Sequence, residues 1–315
     1  MEVHRRILAG RPRPASLRAA AGAGADYGAS DRPDWRGVRW TERQRALTVS
    51  GRRVNYAELG EGDGPPILLV HGLGGRWQNW LENIPRLAQR RRVVAVDLPG
   101  FGRSQLPVQA ISIAGYASTL ERICDLLELE APLVAGNSLG GLVAAELALR
   151  FPDRVGSLAL VDAACLTPAE LQPRVAQLAL LAGGRLASSL LRGPGSAITR
   201  PRARHILFAG VLRHPTLIAT DTLYELAGSS RPPGTVAALA ALGAHDISGE
   251  LERISAPTLV LHGRDDMLIP CRDAERLAQA IPGAELVVFE DTGHIPMVER
   301  PVRFNEALLR FAGAL

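Results

Sequence analysis

The chain has 315 residues, 47% of them apolar, and a formal net charge of +4, which is enough material for one large buried core. All 36 basic residues are arginine, and residues 1–45 and 165–249 carry most of the positive excess, so the remaining body is acidic and lacks the basic face of a nucleic-acid binder. No uninterrupted apolar run of about 18 residues marks an integral membrane span, and the sparse cysteines Cys124, Cys165 and Cys271 suit a reducing, cytoplasmic compartment better than a disulfide framework.

Residues 1–40, rich in Arg, Ala, Gly and Pro, are expected to form a disordered basic tail. Arg5-Arg6 opens like an export signal, but the R-P-R-P run at 11–14 interrupts any apolar segment. From residue 41 the pattern becomes regular. Apolar stretches at 46–49 and 54–59 flank a Ser50-Gly51 turn and predict a β-hairpin. A Gly/Pro-rich loop (60–66) then leads into a short buried strand at 67–70. Helical periodicity covers 77–89, a strand is expected at 93–96, a helix at 112–129, a strand at 133–135 and a helix at 139–150, with a further strand at 155–161. After a long break the alternation resumes with a strand at 258–261, a helix at 271–281, a strand at 285–289 and a helix at 299–312.

Short apolar strands alternating with helices predict an α/β fold, a mostly parallel central sheet with helices on both faces. The core then falls into two parts, 41–164 and 250–315. Between them, 165–249 shows Leu/Ala-rich helical stretches separated by Pro and Gly, and is expected to form a helical cap over the carboxyl ends of the strands.

The most informative segment is G-N-S-L-G-G, Gly136 to Gly141, between the strand at 133–135 and the helix at 139–150. Strand, abrupt turn and helix around a central serine is the nucleophile elbow. A serine at so tight a turn needs neighbours without a Cβ, supplied by Gly136 and Gly140. The helix N-terminus that follows offers unpaired N–H groups where an oxyanion would form. If Ser138 is a nucleophile it needs a base, an orienting acid and an oxyanion hole. His294, in D-T-G-H-I-P after the strand at 285–289, is the candidate base. Asp266, in H-G-R-D-D after the strand at 258–261, is the candidate acid, with Asp265 as a turn or capping residue and Asp162 as a second possible acid. The loop H-G-L-G-G (71–75) predicts that the backbone N–H of Leu73, together with that of Leu139, forms the oxyanion hole, while His71 and Asp97 read as loop architecture. His205, His214 and His245 have no metal-ligand spacing; no metal or organic cofactor is expected.

Five motifs together, H-G-L-G-G at 71, D-L-P-G-F-G-R-S at 97, G-N-S-L-G-G at 136, G-R-D-D-M-L-I-P at 263 and G-H-I-P-M-V-E-R-P at 293, resemble those of α/β-hydrolase-fold serine hydrolases with a helical cap. The resemblance covers the chain from about residue 45 to the end and implies a two-step acyl transfer through an acyl-enzyme. A serine at the elbow sets the chain apart from the dehalogenase and epoxide hydrolase branches, which use aspartate there. Asn137 before the serine is similar to carbon–carbon bond hydrolases of ring-cleavage products, but Ile295 stands where they carry tryptophan, and the oxyanion loop departs from theirs. A carboxylic ester of a small hydrophobic substrate is the first expectation, with carbon–carbon hydrolase, serine perhydrolase (haloperoxidase-like) and non-catalytic binding protein as alternatives. Phe208 and Tyr224 are the only aromatic residues in 165–249, which favours an aliphatic acyl pocket. The oligomeric state is left open.

Overall fold

The computed structural model describes residues 15–16, 19–166, 197–227 and 233–313. Strands β1 (Gln44–Val49) and β2 (Arg52–Leu59) form an antiparallel hairpin closed by Ser50 and Gly51, both at positive φ. Strands β3 (Ile67–Val70) and β4 (Val93–Val96), helix α1 (Ile113–Leu126), strand β5 (Leu133–Asn137), helix α2 (Leu139–Arg150) and strand β6 (Ser157–Val161) follow in chain order. After the inserted segment come β7 (Thr258–Gly263), a helix at Cys271–Ala280, β8 (Glu285–Phe289) and a helix at Pro301–Gly313. The sheet order is β1-β2-β4-β3-β5-β6-β7-β8; β1, β2 and β4 are joined antiparallel and every other pairing is parallel.

The strand sequences explain this arrangement. I-L-L-V in β3 and V-V-A-V in β4 are buried throughout, as a strand covered on both faces requires. Leu68 and Val70 pack with α1, α2 and Leu277, while Ile67 and Leu69 pack with Trp80, Ile84 and Phe304. Each such side chain contributes about 1.5–3 kcal/mol by leaving water. Alternate residues of one strand thus hold helices on opposite faces. The outermost strand β8 is partly exposed, with Glu285 turned outward.

Helix α1 begins where the Ser112 hydroxyl accepts the Gly115 N–H. The expected helix over 77–89 is instead a 3-10 turn at Trp77–Trp80 and a single helical turn at Ile84–Leu87. The break has a cause: buried Asn83 spends its side-chain NH₂ on the Met297 carbonyl and on Asn305, tying the connection to the far end of the chain. The last expected helix starts later, because Pro296–Glu299 forms its own turn before Pro301.

The insertion expected at 165–249 has helices at Pro201–Phe208, Thr220–Ala227 and Thr235–Ala244 and no strand among its described residues; 167–196 and 228–232 lie outside them. Hydrogen bonds seat it on loops at the carboxyl ends of strands, among them Arg76 to the Glu225 carbonyl (2.9 Å), Gly234 N–H to the Gly100 carbonyl (3.0 Å) and His294 N–H to the Val211 carbonyl (2.8 Å). No helix among the described residues is long and apolar enough to cross a membrane.

The expectation of a disordered tail to residue 40 is corrected for its described part, residues 1–14 and 17–18 lying outside it. Residues from 19 to 40 lie along the body, with Ala23 and Tyr27 buried in the same cluster as Trp80 and Phe304. Arg300 pairs with Asp26 (2.6 Å), Asn305 donates to Asp31 (3.0 Å), Trp35 Nε1 donates to Glu82 (2.9 Å), and Arg36 pairs with Asp221 of the insertion. Composition misled because this segment builds no core of its own; its few anchors fill sites prepared elsewhere.

The elbow has no room for side chains at its glycines. A Cβ at Gly136 would lie 2.2 Å from the Gly140 carbonyl oxygen, and one at Gly140 would lie 2.5 Å from the carbonyl oxygens of both Val70 and His71. Those neighbours are backbone and cannot move aside. Gly140→Ala is therefore expected to destabilise the fold by about 3 kcal/mol, at the upper end for overpacking, read as a lowered denaturant midpoint; an unchanged midpoint would show that strand and helix can separate.

Candidate active site

Ser138 lies between β5 and α2 with φ 55° and ψ −116°, a strained conformation for any residue bearing a Cβ. It is held there by its own backbone. Its N–H donates to the Val161 carbonyl (2.9 Å), and its carbonyl accepts the N–H groups of Gly141, Leu142 and Ala164. The side chain is half-buried at the start of a helix whose other early residues are buried.

His294 is buried in the loop after β8, and its Nδ1 is 2.7 Å from Asp266 Oδ2. The Asp266 carboxyl is turned toward it by two backbone donors, Leu268 N–H (2.7 Å) and Ile269 N–H (3.1 Å), both on Oδ1. Burial alone would raise the Asp266 pKa; the His294 and His262 imidazoles and the Leu268 N–H outweigh it and hold the carboxyl below the usual aspartate range. Facing a carboxylate, Nδ1 carries the proton and Nε2 is left with its lone pair. Asn137, beside Ser138, donates its side-chain NH₂ to the carbonyls of Val161 and His294 (3.2 Å each), joining the elbow to the histidine loop.

The H-G-L-G-G loop closes against the same point. A Cβ on Gly72 would come within 3.2 Å of the Ser138 Cβ. Gly75 N–H returns to the Gly72 carbonyl at 3.0 Å, and among the described residues no protein acceptor takes the N–H of Leu73 or Leu139. His71 is fully buried; burial lowers its pKa, Nε2 accepts the Leu98 N–H (3.0 Å) and Nδ1 donates to the Gly72 carbonyl (2.7 Å). Asp97 accepts from Asn55, from Trp77 N–H and from Arg103 N–H, so it organises the neighbouring loop. The helix dipole of α2 makes the space by Leu139 N–H favourable to negative charge.

The two other acids are placed differently. Asp265 approaches Arg213 of the insertion at 3.6 Å and caps no helix. Asp162, at positive φ after β6, accepts the Gly263 N–H on Oδ1 (3.0 Å), and its Oδ2 has no hydrogen-bond partner among the described residues. Asp162, His262 and Asp266 each bring one atom within 4.8 Å of the others. His262 donates Nε2–H to the Ile269 carbonyl (3.0 Å), and burial lowers its pKa. The group is thus a buried polar network in which His262 and Asp266 are already committed to Ile269 and His294, while Asp162 Oδ2 is left over. Burial, reinforced by the Asp266 charge, pushes the Asp162 carboxyl well above its usual range. Folded Asp162 therefore keeps a proton that the unfolded chain loses near pH 4, so this carboxyl costs stability as pH rises from there through its raised value. Relative to wild type, Asp162→Asn should gain melting temperature as pH rises above about 4 and approach it below that; a difference constant with pH would contradict the raised pKa.

Sequence reasoning missed His262, Glu299 and Tyr27. Glu299 carried one signal, its place in G-H-I-P-M-V-E-R-P, whereas Tyr27 carried none. His214 pairs with Asp291 (2.8 Å) and His245 with Glu146 (2.9 Å), both as ordinary packing contacts.

A family model described as the alpha/beta hydrolase fold matches residues 65–301. The chain is 31% identical, over 84% of its length and 67% of the relative's, to a dihydrolipoyllysine-residue acetyltransferase component of an acetoin cleaving system from Pseudomonas putida. It is 32% identical, over 83% of its length and 91% of the relative's, to a 2-hydroxy-6-oxononadienedioate/2-hydroxy-6-oxononatrienedioate hydrolase from Paraburkholderia phymatum. Among solved structures, a thermophilic esterase from Thermogutta terrifontis superposes with a TM-score of 0.67 at 28% identity, over 86% of this chain and 98% of that one.

Proposed function

The chain belongs to the α/β-hydrolase family, and from that premise we propose that it is a serine hydrolase cleaving a carboxylic ester of a small hydrophobic substrate. Ser138 Oγ attacks the ester carbonyl while its proton passes to His294 Nε2. The tetrahedral oxyanion rests on the N–H groups of Leu73 and Leu139. The intermediate collapses, the C–O bond breaks, and the alcohol leaves with the proton from His294. Water then attacks the acyl-enzyme by the same route in reverse, releasing the acid and restoring Ser138. Asp266 stabilises the imidazolium formed in each half. The helical insertion acts as a cap that shapes the acyl pocket.

The observation that carries this reading is the 2.7 Å bond from His294 to Asp266, on a loop that Asn137, the neighbour of the strained, half-buried Ser138, ties to the elbow. Likeness to an esterase supports ester cleavage. Likeness to a hydrolase of 2-hydroxy-6-oxo dienoic acids supports carbon–carbon cleavage as the second reading. Asn137, the sequence signal for that second reading, is spent on the Val161 and His294 carbonyls, which weakens it as a substrate contact. The test is hydrolysis of p-nitrophenyl esters from acetate to palmitate, together with fluorophosphonate labelling. Ester turnover that requires Ser138 supports the esterase. Labelling without turnover would favour a carbon–carbon hydrolase, and neither would leave a binding protein.

A further inference from the structure

The loop that carries His294 is held from behind by one carboxylate. Glu299 is fully buried and accepts the N–H groups on either side of the histidine, Gly293 on Oε2 (3.0 Å) and Ile295 on Oε1 (3.3 Å). Oε2 also takes the Arg213 N–H of the insertion (2.8 Å) and the hydroxyl of Tyr27. The same hydroxyl accepts the His214 N–H at 2.8 Å. Tyr27 comes from the segment that precedes the first strand, 272 positions away in sequence from Glu299. Its ring is buried, meets His214 edge-on at 5.1 Å and lies under the Arg300 guanidinium at 5.2 Å, while Gly28 N–H closes on the Glu299 carbonyl (2.7 Å). An N-terminal strap, a cap loop and the histidine loop therefore meet at one carboxylate.

We propose that Tyr27 is a positioning residue for His294, acting through Glu299, so that one side chain from the N-terminal strap bears on turnover while the rest of the strap does not. The inference rests on the hydrolase reading above. Among the described residues every donor on Glu299 except the phenol is backbone, so Tyr27 supplies the side-chain donor that helps set its rotamer. Burial disfavours the Glu299 charge, and the Tyr27 hydroxyl is the first among the bonds that counter it. Without that hydroxyl the carboxylate has less to hold it ionised and aimed, and it releases Gly293 or Ile295. His294 then loses its fixed distance to the reacting oxygen, which shows in turnover rather than in substrate affinity.

The experiment compares the full chain with Tyr27→Phe, Glu299→Gln, the double variant and Arg36→Gln, measuring kcat, KM and the rate of fluorophosphonate labelling of Ser138. Arg36 anchors the same strap at its other end, on Asp221, away from the histidine. Tyr27→Phe is expected to lower kcat and labelling together by about tenfold with KM within about twofold, as a sub-ångström misplacement would. The double variant should be no slower than Glu299→Gln alone, and Arg36→Gln should keep wild-type kcat. An unchanged kcat in Tyr27→Phe overturns the inference, as does an equal loss in Arg36→Gln, which would make the strap a general brace. Replacement of Tyr27 by 4-aminophenylalanine, which keeps a donor, should retain kcat; should Tyr27→Phe not fold, loss of kcat in that folded protein overturns the inference instead. A wild type inert to both ester and probe overturns the hydrolase reading and this inference with it, whereas an active wild type matched by Tyr27→Phe overturns the inference alone.

Discussion

Ser138→Ala is expected to lower kcat on the best ester by about 10⁵-fold, with the melting temperature little changed. The size follows from what is removed and what stays. No other hydroxyl occupies the elbow, so covalent catalysis is lost outright and His294 has no proton to accept. Two N–H groups and the binding pocket remain, and such remnants still accelerate hydrolysis by about 10³- to 10⁴-fold over water. Stability should barely respond, because alanine keeps the Cβ and inherits the same φ of 55°. The backbone bonds to Val161, Gly141, Leu142 and Ala164 are also untouched. Intact-protein mass spectrometry after fluorophosphonate treatment gives the second readout: one adduct on wild type and none on the variant. A variant retaining more than about a hundredth of wild-type kcat would move the nucleophile elsewhere, since loss of a true nucleophile costs far more.

How much of this was legible in sequence depends on distance along the chain. The parallel strands announced themselves because a strand buried on both faces has to be apolar throughout, as 67–70 and 93–96 are. The elbow was legible for a similar reason: its glycines answer contacts within a few residues or on the adjacent strand. Tyr27 was illegible. Its partners Glu299 and His214 lie far down the chain, and its neighbours have the composition of a disordered tail. The turn at Asn83 escaped for the same reason, being fixed by Met297 and Asn305. Between Asp162 and Asp266, sequence could only rank two acids at neighbouring strand ends. What separates them is direction: two backbone N–H groups turn one carboxyl toward His294, while the other is sealed against Gly263.

That direction makes Asp266→Asn the sharper test of the site. The amide is nearly the same size as the carboxylate, and the N–H groups of Leu268 and Ile269, both aimed at Oδ1, will claim its oxygen. Its NH₂ must then face His294 Nδ1, where the carboxylate oxygen had stood at 2.7 Å. A donor facing Nδ1 forces the proton onto Nε2, and a ring protonated there cannot accept one from Ser138. The expected loss is about 10⁴-fold in kcat, the size associated with the wrong tautomer when geometry is otherwise preserved. Asp162→Asn should stay within about threefold, because among the described residues Asp162 bonds Gly263 rather than His294, and burial disfavours its charge. If the two variants fell equally, the pair would share the acid role across a common proton, and the double variant would then be no slower than either single one. With Asp266 as the sole acid, the double variant also matches Asp266→Asn, but Asp162→Asn alone leaves turnover intact. The decisive reading is therefore kcat of Asp162→Asn, measured where the wild type is most active.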